Sequence, residues 1–278
     1  MKTRDLIHVA GAIIAVALFA GCDKSGKDVF TEELVLQGSM FVGHPLGVRV
    51  THTIPIEQAY DPRAVGVSGA SVNITADGHS FTLRELPADT GGAGYYALPA
   101  DSHVVTPGVS YAIRVEALGH VLTAQTVAAG PVHLVGQRPD SALFGAGSLT
   151  YQWTPDSLSA GYDAIFEMTD ADWNATYHIL ASRNGDNGGP NERIVRVSRF
   201  VNSATIPWDD FDRWGDYRMR LLSCDQAAWN YFWTYRPGEI NTQPISNVQG
   251  GIGVFSAGGA DTAYFYLKDN PAIRGRGL

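Results

Sequence analysis

The stretch with the richest set of reactive side chains is PWDDFDRWGDY, residues 207–217, which holds four carboxylates and two tryptophans. Glycosidases use two carboxylates at a defined separation across a cleft, and aromatic rings beside carboxylates are also typical of a carbohydrate platform. A solvated loop whose tryptophans, Trp208 and Trp214, pack into the core explains the same residues without any reaction. A hydrolase that uses this acidic loop is therefore kept as an alternative.

Metal sites have little support in the residue pattern. No two of the seven histidines that follow residue 21 have the i, i+2 or i, i+4 spacing of metal ligands on one element. Asp170, Asp172 and the Asn-rich turn 184–191 offer oxygen ligands of the kind that calcium prefers. That turn lacks the spaced acidic run of a calcium loop, and turn chemistry explains its Asn-Gly pairs. We predict no metal ion, and calcium in the acidic loops stays open.

The glycine-rich run GGIGVF, Gly250–Phe255, invites a dinucleotide-binding interpretation. It lacks the G-x-G-x-x-G spacing and the helix that such a site needs, so a close-packed strand or bulge explains it better. The chain also lacks a Gly-x-Ser-x-Gly elbow, a Ser-x-x-Lys, a His-Glu-x-x-His and a P-loop. We therefore expect a protein without a cofactor that is not an enzyme.

The N-terminal segment has the form of an export signal. Lys2 and Arg4 precede an almost wholly apolar run from Leu6 to Ala20, as in a secretory signal peptide. The sequence LFAGC, which ends at Cys22, resembles the lipobox of bacterial lipoproteins, in which the cysteine sulfur carries a diacylglyceryl group. Several acyl chains hold a protein firmly to a bilayer. We predict lipidation at Cys22 and a cell-envelope location, with the outer membrane favoured.

Charge and composition restrict the remaining classes. The net charge is -8, and it becomes -9 once residues 1–21 are removed. An acidic chain without a basic run is not expected to bind nucleic acid. The many glycines, prolines and β-branched or aromatic residues, without a long 3.6-residue apolar period, indicate an all-β protein. Cys224, at the predicted end of a strand, is expected to be a buried, inert thiol.

Alternating apolar residues predict a succession of short strands, for example through Tyr111, Ile113 and Val115, and Asp77-Gly78 predicts a hairpin turn. Strands at this spacing are typical of β-sandwiches of about 100 residues. The predicted organisation is a signal peptide (1–21), a tether (22–28), a first β-sandwich (29–130), a linker (131–147), a second β-sandwich (148–268) and a tail (269–278).

A family resemblance covers residues 22 to 268. The segments GVSGASVNITADG, GYYALP and PGVSYAIRVEALGH, and the closing motif NVQGGIGVF with Asn247, Gly250, Gly251, Gly253 and Phe255, resemble the family called domain of unknown function 4249. The resemblance implies a lipoprotein of Gram-negative bacteria with an immunoglobulin-like or transthyretin-like first domain. It further implies an accessory role beside a TonB-dependent outer-membrane transporter, and no catalytic residues.

These observations predict a lipid-anchored, non-enzymatic envelope protein that serves such a transporter or binds a ligand. The alternative is a structural or adhesive envelope protein. The expected contact residues are the tryptophans of two aromatic stretches, since Trp, Tyr and Arg are enriched where binding energy concentrates. They are Trp208, Trp214, Trp229 and Trp233.

Overall fold

The computed structural model describes residues 30–62, 64–87, 92–136, 139–171, 192–198, 200–208, 211, 214–234 and 243–274. The chain divides into two compact units, Met1–Glu32 and Glu33–Leu278. The predicted signal peptide, the tether and the lipidation site Cys22 lie outside the described residues. Among the helices of the described part, none is long and apolar enough to cross a bilayer.

The protein is an all-β protein built from sandwiched sheets, as the sequence predicted. The described part contains sixteen strands and two short helices. They are β1 (Leu34–Phe41), β2 (Gly47–His52), β3 (Ser71–Ala76), β4 (His79–Glu85), β5 (Tyr95–Ala97), β6 (Ser110–Ala117), β7 (His120–Val127), β8 (Leu134–Val135), β9 (Ser141–Leu143), β10 (Leu149–Trp153), β11 (Gly161–Ala171), β12 (Glu192–Ser198), β13 (Ser203–Ile206), β14 (Gly215–Cys224), α1 (Gln226–Thr234), β15 (Ile252–Gly258), β16 (Ala260–Lys268) and α2 (Pro271–Arg274).

The first sandwich is one curled eight-stranded sheet in the order β15-β1-β2-β5-β4-β3-β6-β7. Its two ends meet, because Thr123 of β7 and Gln249, just before β15, exchange two backbone hydrogen bonds of 2.8 and 3.1 Å. The alternation predicted for β6 is confirmed, since Tyr111, Ile113 and Val115 are all buried. One face of each strand thus fills a common core, as the two-residue period of a strand requires.

Two tight hairpin turns of the same kind lie at opposite ends of this sandwich. Asp77 and Gly78 join β3 to β4 with φ angles of 49° and 76°, which confirms the predicted turn. Leu118 and Gly119 join β6 to β7 with nearly equal angles of 51° and 77°. Because β3 and β6 are antiparallel, the end of β3 and the end of β6 point in opposite directions.

The last strand of the first sheet comes from far along the chain. Strand β15 pairs in parallel with β1, from Val35 opposite Ile252 to Phe41 opposite Gly258. The predicted bounds place these residues in the second sandwich, and the structure differs there. Local sequence patterns do not show which distant strands pair. The prediction therefore placed β15 with the strands that are its neighbours in the sequence, in the second sandwich. The separability of the two domains stays a prediction.

The closing motif fits β15 against β1, and this explains its glycines. Gly253 has a φ of 118°, and a Cβ atom there would overlap the carbonyl oxygen of Leu36. The side-chain amide of Asn247 accepts a hydrogen bond from Phe255 N (3.0 Å) and donates to Phe255 O (2.8 Å) and to Gln125 O (3.0 Å) on β7. Asn247 therefore ties the two edges of the sheet together, and the run is a close-packed strand, as expected.

The second sandwich packs a three-stranded sheet, β13-β10-β8, against a five-stranded sheet, β12-β11-β14-β16-β9. An aromatic core lies between them; its largest fully buried members are Trp153, Tyr162, Phe166 and Phe211. The predicted linker 131–147 contains β8 and β9, which pair with β10 and β16. Val132 and Phe144 from the same stretch are buried in this core. The predicted linker is therefore part of the second sandwich.

Each sandwich also contains a tyrosine whose hydroxyl is bonded to the backbone just upstream. Tyr111 Oη accepts a hydrogen bond from Thr106 N at 2.8 Å, and Tyr162 Oη accepts one from Asp156 N at 2.7 Å. Such tyrosine corners are typical of immunoglobulin-like sandwiches. They fix the loop that leads into β6 and the loop that leads into β11.

Candidate functional site

Asp225 sets the start of helix α1 and joins it to the first sheet. The residue directly follows β14, and its Oδ1 accepts a hydrogen bond from Ala228 N at 2.8 Å, as an N-cap residue does. Its Oδ2 accepts hydrogen bonds from Thr126 Oγ1 on β7 (2.5 Å) and from Ala257 N on β15 (2.6 Å). One carboxyl group thus connects the second sandwich, the helix and two strands of the first sandwich.

The same carboxyl group lies in the protein interior. Asp225 is only 2% exposed, and this burial raises its pKa, while the hydrogen bonds from Ala228, Thr126 and Ala257 act in the opposite direction. Ser223 adds a second polar link nearby, because its hydroxyl donates to Gly130 O and accepts from Gly259 N, both at 2.6 Å. The start of helix α1 is therefore held by satisfied, buried polar groups, which favour a rigid placement.

Helix α1 has an unusual surface for a chain with a net charge of -8. Its nine residues, QAAWNYFWT, contain no charged side chain. Trp229 lies over the start of β11, where a Cβ atom on Gly161 would overlap the indole ring. Trp233, one turn later, stacks on Trp229 with ring centroids 5.2 Å apart and an interplanar angle of 22°, and it is 51% exposed.

The remaining aromatic residues of the helix are half-buried. Tyr231 and Phe232 meet edge to face with centroids 5.5 Å apart. Thr234 Oγ1 accepts a hydrogen bond from Ile245 N at 2.8 Å, which places the exposed Ile245 beside the end of the helix. We call the surface formed by Trp229, Phe232 and Trp233, which are three and four residues apart on the helix, with Ile245 at its end, the aromatic helix face.

The aromatic helix face is suited to binding and offers no reactive group. Large aromatic rings that are part-exposed and held in place supply contact area at little cost in side-chain entropy, and Tyr and Trp dominate the energetic centres of protein interfaces. Two of the four tryptophans predicted to be contact residues, Trp229 and Trp233, lie on this face.

The other two predicted contact residues pack against the second core. Trp214 is 7% exposed and meets Phe144 edge to face at 5.0 Å. Trp208 is half-buried, lies 5.7 Å from the Phe144 ring and donates a hydrogen bond from Nε1 to Gly147 O at 3.1 Å. Both rings turn inward, as in the sequence interpretation of a loop whose tryptophans pack into the core, because the core between the two sheets is aromatic.

The other predicted chemistry is only partly covered by the structure. Asp209, Asp210 and Asp212 of the acidic loop lie outside the described residues, as does the turn 184–191. Asp216 is exposed on β14 opposite Tyr266. Within the described ranges, no group of three His, Cys, Asp or Glu side chains could hold a metal ion. Cys224 is the last residue of β14 and is buried, as expected.

The sequence analysis did not single out Asp225 or Ile245. An Asp before the run QAAW is a recognisable N-cap signal, so the cap could have been found. The contacts of Asp225 with Thr126 and Ala257 could not, because they depend on how distant strands meet. Ile245 is held at the helix end by the hydrogen bond that its backbone N donates to Thr234 Oγ1, a contact that the sequence does not reveal.

Comparisons with known proteins give one family and several distant structures. The family model described as Domain of unknown function (DUF4249) matches residues 23–263. No curated protein matches the chain. Among solved structures, it is similar to the I-band fragment I67-I69 from titin, with 10% identity and a TM-score of 0.22 over 87% of this chain and 66% of that one.

Two further solved structures show the same level of similarity. The chimeric titin Z1Z2-Z1Z2 tandem has 12% identity and a TM-score of 0.22, and covers 87% of this chain and 98% of that one. The alpha-2-macroglobulin of Escherichia coli, activated by porcine elastase, has 10% identity and a TM-score of 0.23 over 86% of this chain and 20% of that one.

Proposed function

The chain belongs to the family of domain of unknown function DUF4249, and from this premise we propose that it is a lipid-anchored protein of the cell envelope that binds a partner protein and catalyses no reaction. The lipobox-like sequence at Cys22 supports the anchor. The uncharged aromatic helix face supports the binding role. The expected partner is a TonB-dependent outer-membrane transporter, as the family resemblance implies.

The observation that carries the proposal is the exposed stack of Trp233 on Trp229. An indole that is 51% exposed on an uncharged helix leaves apolar area in contact with water. A partner that covers this area gains roughly 25 cal/mol for each Å² buried. The ring is also already positioned, because Asp225 fixes the start of the helix and Gly161 gives space to Trp229. Little side-chain freedom is therefore lost on binding.

The proposal is tested by affinity capture from detergent-solubilised envelopes of the native organism. The full-length chain with a C-terminal tag is compared with the Trp233→Ser variant. If Trp233 is a central contact, its loss removes about 2 kcal/mol of binding energy, which corresponds to a roughly thirtyfold weaker interaction with the captured transporter.

The matched control is Tyr264→Ser, since Tyr264 is also exposed (65%) but lies on β16 of the second sandwich. We expect this variant to capture the same partner as the wild type does. Equal loss in both variants, or undiminished capture by Trp233→Ser, would assign the contact to another surface. Capture of no envelope protein by any form would favour a structural or adhesive role instead.

A further inference from the structure

The chain enters the first sandwich at one identifiable end. Strand β1 begins at Leu34, and just before it Glu33 N donates to Thr53 Oγ1 while Glu33 O accepts from Thr53 N, both at 2.9 Å. Gly251 lies against the carbonyl of Leu34, and Gly250 lies against the carbonyl of Val121 near the start of β7. The loop that follows β2, the β6–β7 turn and the entry of the chain therefore share one end of the sandwich, which we call the tether-side end.

Three large apolar side chains are exposed in the loops of the tether-side end. In the loop after β2, Ile56 is 96% exposed and Tyr60 is 65% exposed. At the tip of the β6–β7 hairpin, Leu118 is 62% exposed. Both loops are tied to the strands at their bases, since His52 N donates to Val65 O at 3.1 Å and Ala117 pairs with His120. The apolar residues thus project from a fixed frame.

Leu118 occupies a backbone conformation that disfavours it. Its φ of 51° is left-handed, and this conformation costs a residue with a Cβ atom roughly 1–2 kcal/mol. The turn at the other end of the sandwich has the same angles but carries Asp77, a residue that such turns accept readily. Only the turn at the tether-side end carries a leucine in this strained, exposed position, and this points to a functional requirement at that end.

A lipid on Cys22 would hold this end near a membrane, because the intervening segment is short. The eleven chain steps from Cys22 to Glu33 span at most about 40 Å even when fully extended. We propose that the tether-side end is a second membrane contact, in which Ile56, Tyr60 and Leu118 enter the interface of the bilayer that holds the lipid on Cys22. Of the proposed function, this membrane contact requires the lipid anchor on Cys22 and does not require the partner protein.

The charges around these tips select the type of lipid surface. Glu57 and Asp61 directly follow Ile56 and Tyr60 in the chain, whereas interfacial segments that bind anionic lipid are rich in Lys and Arg. The contact is therefore apolar, and it fits a zwitterionic surface such as phosphatidylethanolamine.

The experiment measures insertion of each tip into a bilayer. Residues 22–278 carry an N-terminal polyhistidine tag and the Cys22→Ser change, and they are held on vesicles of phosphatidylcholine and phosphatidylethanolamine that contain a nickel-chelating lipid. Leu118→Cys is labelled with an environment-sensitive dye, and Asp77→Cys carries the same dye in the matched turn at the opposite end. We expect a blue shift, and quenching by spin-labelled acyl chains, at position 118 and not at position 77.

A further variant tests whether apolar contact with the bilayer causes the quenching. With the dye kept at position 118, the double change Ile56→Ser and Tyr60→Ser should reduce the quenching, whereas Tyr264→Ser should leave it unchanged. Equal spectra at positions 118 and 77 would overturn the proposal, as would quenching that rises when phosphatidylglycerol is added. The tag replaces the acyl anchor in this assay, so a chain that is not acylated in cells would refute the anchor and leave this result standing.

Discussion

Replacing Asp225 with alanine should destabilise the whole unit, because one buried carboxyl group bonds to three elements. The change removes the N-cap of helix α1 and leaves Thr126 Oγ1 and Ala257 N without their acceptor. Loss of the cap costs about 1 kcal/mol, and each buried donor left unpaired costs about 1–3 kcal/mol.

The change also removes the free-energy cost of burying the carboxyl group, a cost that the raised pKa of Asp225 indicates, and this offsets part of the loss. We expect the free energy of unfolding to fall by about 2–3 kcal/mol, which lowers Tm by roughly 5–10 °C for a unit of this size.

The assay is calorimetric unfolding, with Asp216→Ala as the control, because Asp216 is exposed at the start of the same strand. The control should change stability by no more than about 0.5 kcal/mol. A double-mutant cycle with Thr126→Val isolates the bond between the two sandwiches, and a coupling of about 1 kcal/mol or more is expected. An Asp225→Ala variant as stable as the control would refute the role assigned to this carboxyl group.

The same group gives a pH dependence with a defined sign. Because burial raises the pKa of Asp225 in the folded state, the folded chain holds this proton more tightly than the unfolded chain does. The stability that protonated Asp225 contributes is complete at pH values below its pKa in the unfolded chain, about 3.9. It declines as the pH rises through the higher pKa of Asp225 in the folded chain. The stability advantage of the wild type over Asp225→Asn should therefore shrink as pH rises above about 4; an advantage that grows would contradict this.

Three other predictions, two of them with a paired control substitution, test separate parts of the structure. Gly253→Ala, in which the new methyl group meets the carbonyl of Leu36, should cost about 3 kcal/mol or more in urea unfolding, whereas Gly43→Ala, in open space at a φ of 79°, should cost about 1 kcal/mol. Trp214→Ala should lose about 3–5 kcal/mol because the ring is buried, and Trp233→Ala about 1 kcal/mol or less; equal losses would contradict the assigned burial. Cys22→Ser should abolish labelling with a radioactive fatty acid, and a variant that is still labelled would refute lipidation at this residue.

Local patterns in the sequence were sufficient for most of the strands and for the turn at Asp77-Gly78. Alternation with a period of two residues depends only on near neighbours, so β6 could be placed with Tyr111, Ile113 and Val115 inward. The glycines of the closing motif were also interpreted correctly as strand packing. The family resemblance rested on segments of the same kind, and the family model confirms it over residues 23–263.

Long-range contacts could not be predicted in this way. Nothing near Ile252 in the sequence shows that β15 pairs with β1, or that Asp225 meets Thr126. The tryptophans illustrate the limit most directly. Trp214 and Trp233 both lie in aromatic stretches with polar residues, yet one is 7% exposed and the other 51%. Their burial depends on which sheet lies opposite, and composition does not contain that information.

Site-specific photo-crosslinking in living cells tests the binding role most directly. A photo-reactive amino acid replaces Trp233 on the aromatic helix face, or Tyr264 on β16, in the full-length protein. The proposed function predicts a crosslink from position 233 to a single envelope protein, identified by mass spectrometry as a TonB-dependent transporter, and none from position 264. The absence of any crosslink at position 233, or the same products from both positions, would contradict a partner-binding role for this helix.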